Sequence, residues 1–251
     1  MYTHDWFRNY IDQWGNEEPS QFSAAFARTI PISPGETRLI GIGSGSGIIE
    51  IFSLIERHAK SATFTDIEPT WLEIAKRNVS IKIRGGLISP SQVRFLPPTG
   101  FAELPYAEIA QHDLVAFNPP QLPYAYVDRA TKQKIDSDPI EHRFRWGGEL
   151  GLDVVEQFFA WYAGLHAPKP DAVILLSSFL GRRHIDEAIS AAGLRPCEDP
   201  VETDATLRPM LWKQADAFSR SPTELEDRSI CKVGDTWHKK LLTFRLRNKE
   251  G

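Results

Sequence analysis

Arg38-Leu39-Ile40-Gly41-Ile42-Gly43-Ser44-Gly45-Ser46-Gly47-Ile48-Ile49-Glu50 is the stretch on which the fold turns. An apolar run, Arg38 to Ile42, meets a glycine-rich turn, Gly43 to Gly47, and then a longer apolar stretch from Ile48 to Ala59. That order predicts a strand, a tight turn and a helix. A second such unit follows, with Ala62 to Thr65 as strand, Asp66 to Pro69 as turn and Thr70 to Ser80 as helix. Gln92 to Leu96 and Asp113 to Phe117 read as the third and fourth strands, the latter stopped by Asn118-Pro119-Pro120. Leu152 to Leu165 is expected to be a helix, Ala172 to Ser177 a strand buried on both faces, and His184 to Ala192 a helix ended by Gly193. Leu241 to Leu246 supplies a closing strand. Strands alternating with helices predict an α/β fold, Rossmann-like and doubly wound, on a mostly parallel sheet of seven strands.

Residues 37–195 form the core of this plan and leave two flanks. In 1–36, Trp6, Phe7, Tyr10 and Trp14 recur at helical spacing, and Phe22 to Ala27 makes a second amphipathic stretch before Pro31 and Pro34. This reads as an N-terminal helical cap segment. In 196–251, a polar excursion from Glu202 to Thr236, with helix around Leu211 to Phe218, is inserted before the last strand. Neither flank has the size of an ordinary domain, so both are expected to pack on a single domain, 1–251, and to shape its pocket.

The chain has 251 residues, 41% hydrophobic and 25% charged, which excludes a fibrous or unfolded polymer. A net charge of -4 disfavours a nucleic-acid partner, for which Arg143, Arg145, Arg182 and Arg183 are the best basic cluster. Two cysteines, Cys197 and Cys231, are too few for a disulfide framework and point to a reducing, cytoplasmic setting. No stretch approaches a membrane span, and no histidine pair has the spacing of a metalloprotease motif, so no metal is assigned.

Several ligands compete for the glycine turn. A phosphate loop needs a lysine that does not occur before Lys60, and neither Ser44 nor Ser46 has the flanking glycines of a nucleophile elbow. A dinucleotide fingerprint through Gly41, Gly43 and Ser46 lacks its third small residue. The Gly43-Ser44-Gly45-Ser46-Gly47 register suits a nucleoside with an amino-acid tail, such as S-adenosylmethionine, whose carboxylate takes backbone N–H groups. Asp66, with Ile67 beside it, stands where an acid accepts hydrogen bonds from ribose hydroxyls. The competing readings are a turn without ligand and an Asp66 that merely caps a helix.

Asn118-Pro119-Pro120-Gln121 follows the fourth strand. Two prolines fix the backbone and remove two donors, leaving a rigid corner rich in acceptors. The side-chain oxygen of Asn118 and the carbonyl of Pro119 are placed to accept both hydrogens of an amino or amide nitrogen and aim its lone pair at an electrophile. Here the chain resembles the class I S-adenosylmethionine-dependent methyltransferases that modify nitrogen, and within them the HemK/PrmC-like protein-glutamine methyltransferases. The resemblance runs through Ile40 to Gly47, Thr65-Asp66-Ile67-Glu68-Pro69 to Asn78, Asp113-Leu114-Val115 before Asn118-Pro119-Pro120, and Gly147-Gly148-Glu149-Leu150-Gly151-Leu152-Asp153.

The resemblance implies S-adenosylmethionine as cofactor, bound by Gly43, Ser44, Gly45, Gly47, Asp66, Ile67, Phe101 and Asn118. It implies methyl transfer with Asn118, Pro119 and Gln121 as the catalytic group. Three departures bear on the substrate. Gly41 replaces the acid usual at the end of the first strand, Pro97 to Phe101 offers no Asp near adenine, though Phe101 can form an apolar wall, and Gln121 replaces a stacking Tyr or Phe. The expected acceptor is therefore an amide, amine or guanidino nitrogen of a small molecule or free amino acid such as arginine, held by Asn118, Pro119, Pro120, Gln121 and Tyr124. Glu141 and Glu149 are candidate carboxylates for a protonated acceptor, against the reading of each as a solvated charge. The alternatives are a protein glutamine of release-factor type, a nucleic-acid base, or a cofactor-binding module without catalysis.

Overall fold

The computed structural model describes residues 20–137 and 145–248, so Trp6, Phe7, Tyr10, Trp14 and Glu141 lie outside the described residues. The chain divides into two compact units, Met1–Asn118 with Leu165–Val173, and Pro119–Gly164 with Ile174–Gly251.

The first unit holds helix α1 (Gln21–Thr29), β1 (Arg38–Ile42), α2 (Ile48–Ile55), β2 (Ser61–Phe64), α3 (Pro69–Arg84), β3 (Val93–Phe95), α4 (Tyr106–Ile109) and β4 (Leu114–Phe117). All four strands are parallel, in the order β3-β2-β1-β4. β1 is central, and Leu39 and Ile40 are wholly buried. Helix α2 is rich in β-branched isoleucines, poor helix formers in isolation. Burial overrides that preference: Ile48, Ile49, Ile51 and Leu54 are all buried, each contributing about 1.5–3 kcal/mol. Helix α1 packs on α2, Ser20 capping it by accepting from the Ser23 N–H. Helix α3 starts with Pro69 in its first turn and a Glu68 cap.

The second unit contains α5 (Arg129–Asp136), α6 (Asp153–Ala163), most of β5 (Asp171–Ser177), α7 (Arg182–Ala191), β6 (Leu194–Pro196), β7 (Val201–Thr206), α8 (Trp212–Phe218), α9 (Pro222–Arg228), β8 (Cys231–Val233) and β9 (Thr236–Asn248). β9 is antiparallel to β6, β7 and β8. A core of Leu122, Val127, Trp146, Phe179, Leu207 and Trp237 lies under them. The excursion expected between Glu202 and Thr236 is thus an ordered hairpin partner and two helices. The α/β, Rossmann-like class stands on a mixed, mostly parallel sheet, with nine strands among the described residues where seven were expected. Among the described residues, no helix is long and apolar enough to cross a membrane.

Candidate active site

β2 and β4 flank β1 on opposite sides, so the connection order reverses at β1, and open α/β sheets place their ligands at the carboxyl ends of the strands on either side of such a point. Ile42 is in register with Phe117, which makes Gly43 and Asn118 leave the sheet edge side by side. Gly43, Gly45 and Gly47 have φ of 62°, 55° and 77°. A Cβ on Gly47 would come within 2.8 Å of the Phe64 ring, so packing demands that glycine. Gly43 is different: it is exposed at the tip, and the nearest atom to a Cβ there is Phe117 Cε2 at 3.7 Å.

The expectation that Ser44, Gly45 and Gly47 offer their N–H groups to a ligand carboxylate needs correction. Ser44 N–H donates to the Thr65 carbonyl (2.7 Å), Gly45 N–H to Asp66 Oδ2 (2.8 Å) and Gly47 N–H to the Ser44 carbonyl (2.8 Å). A buried turn this tight satisfies its own donors, because an unpaired buried N–H is costly.

Asp66 is buried at the end of β2 and also receives the Glu68 N–H at 2.9 Å. Burial pushes its carboxyl up to about 6 against the pull of those hydrogen bonds. The helix-capping job belongs to Glu68, which accepts from the Thr70 N–H. Each oxygen of Asp66 keeps a further acceptor site, enough for a ribose hydroxyl. Next to it Ile67 is 49% exposed, unusual for so large an apolar side chain. Its Cδ1 lies 3.7 Å from where a Cβ on Gly100 would be, and Phe101 stands edge-on to Phe117 at 5.9 Å. Ile67 and Phe101 thus present apolar surface beside Gly100, with Phe117 buried behind Phe101.

One acid escaped the sequence reading. Glu50, on the first turn of α2, is fully buried, and its Oε1 accepts from Ser44 Oγ at 2.6 Å. Its Oε2 has no hydrogen-bond partner among the described residues. A Cβ on Gly41 would fall on the Glu50 carboxylate, so the helix delivers an acid into the side-chain space of Gly41. Burial pushes Glu50 up to about 7; the Ser44 hydrogen bond opposes this and the nearby Asp66 charge adds to it. The available signal was a lone acid within Ile48-Ile49-Glu50-Ile51-Phe52.

Asn118 ends the first unit half-buried, its side chain making no hydrogen bond to another described residue, and Pro119, buried, opens the second. Gln121 corrects the expectation that it touches the acceptor. It is buried; its Oε1 accepts the Ser177 N–H at 2.6 Å, and its Nε2 donates to the Leu175 carbonyl at 2.9 Å and weakly to Pro119 O at 3.4 Å. Both ends of the amide are occupied by backbone, so Gln121 fixes the turn rather than the substrate. Ser177 Oγ in turn accepts from Lys239 Nζ at 2.7 Å, and burial pulls Lys239 down to about 7. Lys239 was hidden in the polar run His238-Lys239-Lys240.

The element Gly147 to Asp153 wraps the chain after Gln121. Leu122 pairs with Trp146, Tyr124 N–H donates to the Gly148 carbonyl, and Ala125 N–H to that of Glu149. Cβ atoms on Gly147 and Gly151 would lie 2.8 Å from the Gln121 backbone, and one on Gly148 would fall on the Asp153 carboxylate. The Tyr124 hydroxyl donates to Asp136 at 2.9 Å with the ring edge-on to Trp146, while Tyr126 packs on Phe179 and Phe218. Glu149 is exposed. A cavity of about 280 Å³ in this unit is lined by Tyr126, Leu152, Glu156, Leu180 and His184, and by none of Pro119, Pro120 or Gln121.

No family model matches the chain. It is 27% identical over 130 residues to a release factor glutamine methyltransferase of Koribacter versatilis (strain Ellin345), a match covering 51% of this chain and 42% of that protein. The chain therefore spans less than half the length of this curated relative. Among solved structures, it is similar to a ribosomal protein L11 methylase from Lactobacillus delbrueckii subsp. bulgaricus, with 12% identity, coverage of 94% and 81%, and a TM-score of 0.49. It is also similar to a precorrin-6y C5,15-methyltransferase from Geobacter metallireducens GS-15, with 10% identity, coverage of 90% and 87%, and a TM-score of 0.48.

Proposed function

We propose that the protein is an S-adenosylmethionine-dependent N-methyltransferase whose acceptor is a carboxamide nitrogen, that of a protein glutamine. The observation that carries this reading is the side-by-side exit of Gly43 and Asn118 from β1 and β4. The first unit fits the cofactor: Ile67 and Phe101, backed by Phe117, offer an apolar wall for a base, Asp66 keeps acceptor sites for a ribose, and the orphaned oxygen of Glu50 suits a charged tail. The name of the curated relative, a release factor glutamine methyltransferase, supports a glutamine acceptor over a small molecule. The departure at Gln121 no longer argues against it, since that side chain is engaged with β5.

The cofactor supplies an electrophilic methyl group on a sulfonium. Asn118 Oδ1 and the Pro119 carbonyl accept the two N–H bonds of the acceptor amide, turning its nitrogen lone pair toward that methyl. Pro119 and Pro120 have no N–H to compete for these acceptors, and Gln121 holds their turn against β5. The acceptor nitrogen, oriented by Asn118 and Pro119, would give up its proton to solvent once methylated. Tyr124 and Glu149 line the following segment, where a peptide flanking the glutamine would run. The test is incubation with labelled cofactor and a Gly-Gly-Gln peptide, a cell extract and a metabolite panel. Label on the glutamine nitrogen is expected; label confined to metabolites would replace the protein acceptor with a small one.

A further inference from the structure

We propose that Glu50 is the carboxylate that receives the α-ammonium group of the cofactor's amino-acid tail, delivered by helix α2 into the side-chain space of Gly41. The inference rests on the methyltransferase reading and adds a residue to it. Three observations carry it. Glu50 is wholly buried beneath the glycine turn, yet only one of its oxygens has a partner among the described residues, Ser44 Oγ. A buried carboxylate left half-satisfied is unfavourable unless something in the working state completes it. The space it fills belongs to the β1 residue that leads into the turn: any side chain at Gly41 would overlap it. The remaining polar groups around the turn do not serve a cation as well, since Asp66 already accepts the Gly45 and Glu68 N–H groups and the Ser44, Gly45 and Gly47 donors are engaged. A group that completes Glu50 must carry a positive charge or strong N–H donors, which is what an amino-acid tail brings and a bare nucleoside lacks.

The test compares two ligands by calorimetry on the full chain: S-adenosylhomocysteine, which has the tail, and 5′-methylthioadenosine, which has none. In Glu50→Gln, affinity for the first is expected to fall by about tenfold or more, while that for the second changes less than about twofold. Equal losses, or no loss, would overturn the proposal. A reciprocal variant, Gly41→Asp with Glu50→Ala, moves the acid from helix to strand. It should fold and recover binding of S-adenosylhomocysteine to within about threefold of the parent. A folded swap variant that binds only 5′-methylthioadenosine well would sink the idea, and so stands as a check if Glu50→Gln is poorly folded. If the parent binds neither ligand, it is the methyltransferase reading that fails.

Discussion

At Gly147, Gly148 and Gly151 the room that side chains would take is filled by protein: the Gln121 backbone, the Asp153 carboxylate and Leu180. At Gly43 the corresponding room is open, and at Gly41 it holds a carboxylate from another element. Both clusters read alike as glycine-rich turns before a helix. In one the glycines let the chain pack against itself; in the other Gly47 does the same against Phe64, Gly41 makes room for the buried Glu50 carboxylate, and Gly43 is left exposed at the tip. A glycine cluster thus identifies close approach, and only the neighbours tell whether the approaching body is protein or ligand.

The sharpest way to separate the two turns is through the residue that leaves the open one's edge. Asn118→Ala should lower the transfer rate by about 100- to 1,000-fold with little change in S-adenosylhomocysteine affinity or melting temperature, because the Asn118 side chain bonds to no other described residue. Single-turnover kinetics with calorimetry checks this, and a matching loss of stability would make Asn118 a fold residue. Gly148→Ala should do the reverse. It drives a methyl group onto Asp153 at a φ of 89°, costing about 3 kcal/mol in denaturant unfolding.

Glu50 brings a pH signature to the first unit. Its carboxyl titrates at about 7 when folded against 4.5 ordinarily, so between those values the folded protein keeps a proton that the unfolded chain has lost. Glu50 burial is therefore best tolerated below pH 4.5, and stability falls as pH rises to about 7. Relative to Glu50→Gln, the parent should lose roughly 3 kcal/mol between pH 4.5 and 8, read from urea unfolding without ligand. Asp66, raised to about 6, adds a decline of the same sign that both proteins share.

Smaller effects complete the contrast. Gln121→Leu strands the Ser177 N–H and the Leu175 carbonyl and should cost about 2 kcal/mol, slowing transfer more than it weakens cofactor binding. Gly43→Ala meets only an ordinary contact with Phe117 Cε2 at 3.7 Å and the penalty of a positive φ, about 1–2 kcal/mol. A larger loss there would mean that the tip is as filled as the second cluster.

The β1-turn-α2 unit was legible because period and glycine agree: the strand Arg38 to Ile42 and the start of the helix at Ile48 match the structure. β7 was not, since Val-Glu-Thr-Asp-Ala-Thr is mostly exposed and gains its strand from pairing with β9 rather than from an apolar face. β9 begins five residues before the expected Leu241 because His238, Lys239 and Lys240 mask its alternation. Asn118 and Asp66 could be singled out from motif position as candidates, while Glu50 and Lys239 are polar residues whose burial a linear pattern of charges does not display. The role of Gln121 was misread for the same reason.

Gln121 has one more consequence. By accepting from Ser177 and donating to Leu175, its side chain acts as a rung that extends the ladder of β5 sideways to the proline corner. The corner takes its rigidity from a strand and not from the loop that follows it. Sequence change in the loop beyond Leu122 can then alter what is recognised while leaving the Pro119 carbonyl where it stands. On the proposed reading, specificity could then drift without disturbing the chemistry, and substrate preference would be the more easily inherited variation.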